Sequence, residues 1–341
     1  MYIQQVEQIN KDLERTGKAI VAFGCSFVQG QGAIDDELYE DYTWEYVGEG
    51  HVLEPKFTRS EEKALLKKYK DTIFRNREGK LEFTFMEYEN AFVSVLSKKY
   101  FNGEYTPINF GIRGCGNRGS IKEIYFNNGI NWDLAKEVIV LYTPSGVERF
   151  DFINDSFSDH FRWVCMWPHY KGMEEGSGRR ILWEGYAKAL WSEKFELLEQ
   201  IGHVKELMLW AKSKNAKMVI TPGFDRKYNR EYFEHILGQE VERKLDSTTH
   251  KLRKPLFMPV HRDINLVDEW PWDLMFRPEG HSTFVELAMS KEELTNDRDY
   301  YFQFLGKRSE NGWMTPCAHP GQKAHDLFAK LLHEHITKNL S

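Results

Sequence analysis

The chain has 341 residues, room for one large α/β domain with insertions or for two domains. Its 41% hydrophobic and 29% charged content excludes wholesale disorder, and a net charge of −6 gives no electrostatic case for nucleic-acid binding. No segment approaches the ~18 consecutive apolar residues of a membrane helix. Four cysteines (Cys25, Cys115, Cys165, Cys317) show no CxxC spacing and no dense disulfide framework, so a soluble protein of a reducing cytoplasm is expected.

The opening segment, to about Gly17, reads as a polar surface helix rather than a secretory leader. Ala19-Ile20-Val21-Ala22-Phe23 is a short β-branched run, read as a buried strand that Gly24 breaks. Ser26 then falls on the strand-to-helix turn. An acidic, aromatic stretch from Asp35 to Glu49 and a basic one from Lys63 to Lys70 read as solvated insertion surface. A helix is expected over Tyr88–Leu96, a strand over Thr106–Phe110, a helix from about Asn117 to Asn127, and a strand over Val138–Tyr142. Leu197, Ile201, Val204, Met208 and Ala211 share one helical face. That helix leads to a buried strand at Ala216–Thr221, and a last helix is expected to start at Pro320. Strands separated by helices predict a parallel, doubly wound sheet in a single domain spanning 1–341. Insertions are expected at about 33–85, 150–190 and 225–312; the last two follow strand ends and form large caps.

Ester hydrolysis needs a nucleophile, a base and donors for the oxyanion. Ser26 and His319, the latter within Cys317-Ala318-His319-Pro320, are the first two candidates. The glycine-rich turn from Asn109 to Asn117 follows the second core strand and offers backbone N–H groups at Gly111 and Gly116 and a side-chain amide at Asn117. Arg149 is placed to hold a polar or anionic substrate group. Trp163 and Trp167, like Trp270 and Trp272, read either as platforms for sugar rings or as small cores of compact inserts.

Three segments together resemble the SGNH (GDSL-type) hydrolases, and especially the divergent forms in bacteriophage genomes. Gly24-Cys25-Ser26-Phe27 matches the first family block, Asn109, Gly111, Gly116 and Asn117 the second, and His319-Pro320 with His325 the last. The resemblance covers about half of the chain. It implies a flavodoxin-like three-layer sandwich around a parallel sheet and hydrolysis of a carboxylic ester or O-acetyl group; the tryptophan-rich tracts make a saccharide the most economical substrate. It implies no metal or organic cofactor, and a virion location if the chain is phage-encoded.

Two departures bear on catalysis. The family places an aspartate three residues before its histidine, where this chain has Pro316; either a backbone carbonyl or an acid from an insert replaces it, or the site is weak or dead. The Gly-x-Asn-Asp block is replaced by Thr143-Pro144-Ser145-Gly146. A binding or virion structural protein that keeps the fold without catalysis is therefore the rival reading. A nucleotide-binding enzyme is third: Gly114–Gly119 spells GxGxxG, but no acid ends the following strand to hold a ribose. A zinc site of Cys25, Cys115, Cys317 and His319 is a weaker alternative.

Overall fold

The computed structural model describes residues 3–41, 44–47, 52–75, 79–112, 115–126, 129–147, 149–153, 163–166, 180–181, 184–185, 192–238, 263–292 and 308–339. Four parallel strands form the central sheet: β1 (Lys18–Gly24), β2 (Thr106–Gly111), β3 (Glu137–Thr143) and β4 (Lys217–Ile220), in the order β4-β3-β1-β2. β1 pairs in register with both neighbours, Gly24 standing opposite Gly111 on one side and Thr143 on the other. Beyond β4, Met275 makes an isolated parallel bridge to Ile220, and the Phe276 N–H donates to the Ile220 carbonyl at 2.8 Å.

The period-two pattern of the strands divides the core. Ala19, Val21 and Phe23 of β1 join Val138, Val140 and Tyr142 of β3 on one face. Ile20 and Ala22 join Ile139, Leu141 and Val219 on the other. Because both faces are apolar, both must be covered. The first is packed by α1 (Ile3–Thr16), α3 (Asn117–Phe126), α4 (Glu193–Ser213) and α5 (Arg230–Gly238). The second is packed by the helix at Phe92–Val95, α6 (Phe284–Ser290) and α7 (Gln322–Asn339). Four-residue α2 (Ser26–Gln29) follows β1 directly.

The expected strands are present to within a residue or two. The helix expected over Tyr88–Leu96 is instead two short helices, Thr84–Asn90 and Phe92–Val95, broken at extended Ala91 and followed by a π-turn. The final helix begins at Gln322 rather than at Pro320, because Pro320 forms an antiparallel bridge with Met314. Part of the first insertion builds its own small core from Ile34, Leu38, Leu65, Ile73 and Met86. Residues 150–153 and 163–166 pair as antiparallel strands. No described helix is long and apolar enough to cross a membrane.

The chain leaves β1 to build β2 on one side, then crosses back to build β3 on the other. The carboxyl end of β1 is thus the point where the winding reverses, where open α/β sheets hold their ligands.

Candidate active site

Gly24 ends β1 where no other residue fits: a Cβ there would lie 2.6 Å from the Thr143 carbonyl and 2.3 Å from a Val28 methyl. The chain turns at once, Cys25 takes an extended conformation, and Ser26 opens α2. Ser26 therefore stands at the carboxyl edge of the innermost strands. As the first residues of a helix, Ser26 and Phe27 carry N–H groups with no acceptor within it.

His319 arrives from a tight loop. Thr315 N–H and Oγ–H both donate to the His319 carbonyl, at 2.8 and 3.0 Å, and Ala318 N–H donates to the Thr315 carbonyl at 2.9 Å. The loop closes through Ala318 in the left-handed region, φ 60°, and Glu292 anchors its approach by accepting from the amides of Asn311 and Trp313. The outcome is a relay. His319 Nδ1 lies 2.8 Å from the Cys317 carbonyl, and Nε2 lies 2.8 Å from Ser26 Oγ.

A carbonyl only accepts, so Nδ1 carries the proton and Nε2 is the bare nitrogen that accepts from the Ser26 hydroxyl. The Cys317 carbonyl thus does the orienting work of an aspartate, without its charge. Ser26 and His319 are 5% and 8% exposed, so each keeps only a sliver of surface. The Phe27 ring lies against the imidazole at 4.7 Å, Phe224 lies against Phe27 at 5.0 Å, and the Arg149 guanidinium sits 4.8 Å from the centre of Phe224. Arg149 thereby joins the same wall, its Nη1 donating to Ser145 Oγ at 3.1 Å.

The residues expected as oxyanion donors are used otherwise. Pro107 has no N–H and so faces away from β1. Asn109 and Gly111, two and four residues on, share that outer side. The Gly111 N–H accordingly donates to Asn109 Oδ1 at 2.8 Å, while the next amide, Ile112, donates back to Gly24. Gly116 N–H donates to Asp151 Oδ1, and Gly119 N–H to Asp151 Oδ2, both at 2.7 Å. Asn117 accepts from the Ser145 amide at 2.6 Å and donates to Tyr228 Oη at 2.9 Å, and Tyr228 donates to the Ser145 carbonyl at 2.7 Å. These contacts bind the loops after β2, β3 and β4 into one buried knot. Burial holds the Tyr228 phenol, and that of neighbouring Tyr142, well above the ordinary tyrosine range.

Asp151 also answers the GxGxxG reading. The amides that a phosphate would need at the start of α3 already bind this 3%-exposed carboxylate. Sequence reasoning missed Asp151; its only signal was an acid inside the apolar run Phe150–Ile153. Trp167 and the Trp163 side chain lie outside the described residues. Trp270 is 1% exposed and packs on Phe233 and Tyr228, so it belongs to a core. Among the described residues no group of three or more His, Cys, Asp or Glu is arranged to hold a metal ion. A groove of about 510 Å³ follows the outer edge of β2 and touches Gly111, but neither Ser26 nor His319 lines it.

No protein-family model, curated protein or solved structure matches this chain. The functional reading rests on the site itself.

Proposed function

We propose that this chain is a serine hydrolase of SGNH type, built on a flavodoxin-like three-layer sandwich with cap insertions, and that it cleaves a carboxylic ester or O-acetyl group. The observation that carries the reading is the Ser26–His319–Cys317 carbonyl relay, with 2.8 Å at each link. The strand order with a fifth-strand remnant at Met275 supports the flavodoxin-like part, since that winding runs 2-1-3-4-5.

In the first half-reaction Ser26 Oγ attacks the ester carbonyl carbon as its proton passes to His319 Nε2. The carbonyl oxygen becomes an oxyanion facing the Ser26 and Phe27 amides at the start of α2. The tetrahedral adduct collapses, His319 returns the proton to the departing alkoxide, and the acyl group stays on Ser26. Water, deprotonated by His319, then attacks the acyl-serine, and the adduct collapses to the acid as His319 returns that proton to Ser26 Oγ. The substrate is a small-molecule or saccharide ester, with Arg149 on the wall of the site as the group that meets its polar part.

Hydrolysis of p-nitrophenyl acetate by the wild type, Ser26→Ala and His319→Ala tests this. Both variants should lose at least ~10²-fold in kcat/KM while keeping the wild-type circular dichroism. Equal rates in all three proteins would sink the proposal.

The engagement of the Gly111, Gly116 and Asn117 donors, together with an uncharged partner for His319, favours a second reading. It is a binding or virion structural protein that retains the fold. It predicts no turnover of any ester and no covalent labelling of Ser26 by a fluorophosphonate.

A further inference from the structure

The turn after α2 closes on the nucleophile itself: the Gly30 and Gln31 N–H groups both donate to the Ser26 carbonyl at 3.0 Å. The next residue, Gly32, meets the loop of the base. Its φ is 80°, and a Cβ there would lie 2.7 Å from Cys317 Sγ and 2.8 Å from Thr315 Oγ1. Glycine alone lets the two loops touch this closely. Beyond that contact the Thr315 hydroxyl and N–H hold the His319 carbonyl, and the Cys317 carbonyl holds its ring. At Gly32 the contacts that begin at Ser26 meet those that begin at His319.

Both polar groups of Gly32 are held from the first insertion and the helix that closes it. Its N–H donates to Glu87 Oε1 at 2.8 Å, and its carbonyl accepts from Tyr39 Oη at 2.9 Å. Glu87, on the helix Thr84–Asn90, is 5% exposed, and a buried carboxylate is costly unless its partners are fixed. Asp36, Tyr39 and Glu40, at i, i+3 and i+4, share one face of the helix Asp36–Asp41. Arg308, in the segment that leads to His319, covers that face. Its guanidinium pairs with Asp36 and, at 3.3 Å, with Glu40, and its central carbon sits 5.6 Å from the centre of the Tyr39 ring. A stretch that composition marks as solvated surface is thereby tied to both catalytic loops.

We propose that Glu87 and Tyr39 are positioning residues of the catalytic pair, acting through Gly32 to keep the His319 loop in register with Ser26, with Arg308 locking the same clamp from the base's side. The inference rests on the hydrolase reading of Ser26 and His319. Glu87 and Tyr39 act on the geometry of that pair rather than on the substrate. They keep Nε2 within hydrogen-bonding distance of Oγ, where a displacement of about 1 Å costs on the order of 10²-fold in rate. Releasing the clamp therefore lowers kcat and leaves KM nearly unchanged.

Steady-state hydrolysis of p-nitrophenyl acetate by the full chain tests this. Glu87→Ala should lower kcat about 10–100-fold while KM changes less than twofold. Glu87→Gln, which keeps an acceptor for the Gly32 N–H, should recover most of that loss. Tyr39→Phe deletes one hydroxyl and keeps the ring, so it should fold like the wild type and lower kcat about 3–10-fold. A fall in kcat that Glu87→Gln does not recover overturns the proposal, as does wild-type kcat in both Glu87→Ala and Tyr39→Phe. A second readout needs no turnover. In NMR spectra of protein with labelled histidine, wild-type His319, assigned by its loss in His319→Gln, should be the single Nδ1–H tautomer. Glu87→Ala and Tyr39→Phe should shift it toward an average of both tautomers. A wild type that hydrolyses no ester removes the hydrolase reading, and the spectra then decide the clamp by themselves: an unchanged tautomer in both variants overturns it.

Discussion

At the scale of single residues, the site depends on a backbone angle. Ala318 holds φ 60°, a conformation that costs an L-residue about 1–2 kcal/mol and suits glycine. That angle folds the chain back so that the Cys317 carbonyl meets the ring two residues on. Ala318→Gly keeps the angle available and should leave kcat for p-nitrophenyl acetate nearly unchanged. Ala318→Val puts a β-branched side chain at the same angle in a site only 2% exposed. It should lower stability by about 1–3 kcal/mol. At temperatures where the variant remains folded, kcat should fall far more than KM rises, because the imidazole loses its orientation rather than the substrate its site. If the valine variant keeps the wild-type kcat, the Cys317 carbonyl does not govern the base. Ser26 and His319 were legible in the sequence because a β-branched run stopped by glycine and a His-Pro pair are local signals. The orienting group was not, since every residue carries a carbonyl and only the loop's conformation decides which one points at a ring.

At the scale of elements, the first turn of α3 is held by a side chain from another part of the chain. Asp151 sits in strand 150–153, which pairs antiparallel with 163–166, and accepts from two amides at the start of α3, where its charge also complements the helix dipole. Asp151→Ala leaves two buried N–H groups without their acceptor and should cost about 2–4 kcal/mol, while Asp151→Asn, which keeps an acceptor and loses the charge, should cost about half as much. Urea denaturation with unchanged m-values is the measurement. Equal, negligible losses in both variants would mean that the cap contributes nothing. The same contact explains a miss in the sequence reading. Gly114–Gly119 looks like a turn that offers amides to a ligand, and the residue that takes them lies more than thirty positions away. Pattern also misplaced the start of α7. Proline favours a first helical turn, but Pro320 is held in a bridge to Met314, and that bridge shapes the loop that delivers His319.

At the scale of the whole molecule, the two apolar faces of the sheet were readable from strand composition, while the tie between distant helices was not. His325 lies in the first turn of α7, fully buried against the rings of Phe92 and Phe284, and its Nδ1 accepts the Phe92 N–H at 3.1 Å. It thus caps the helix at Phe92–Val95, whose preceding Ala91 has no side chain to do so. Burial, and then the nearby His319, depress its pKa from 6.5 to about 3. The unfolded chain therefore binds a proton that the folded chain refuses throughout that interval. The contribution is fully present above pH 6.5 and is lost as the pH falls toward 3, at up to about 1.4 kcal/mol per pH unit. Carboxylates add their own slope in the lower half of the range, so the informative quantity is a difference between proteins. His325→Asn places an amide oxygen near the Nδ1 position, keeps an acceptor for Phe92 and cannot take up the proton. Unfolding free energies between pH 4.5 and pH 7 should then fall more steeply for the wild type than for the variant. Parallel curves would mean that the folded protein accommodates the charged ring, and that α7 does not depend on a neutral histidine for its seat.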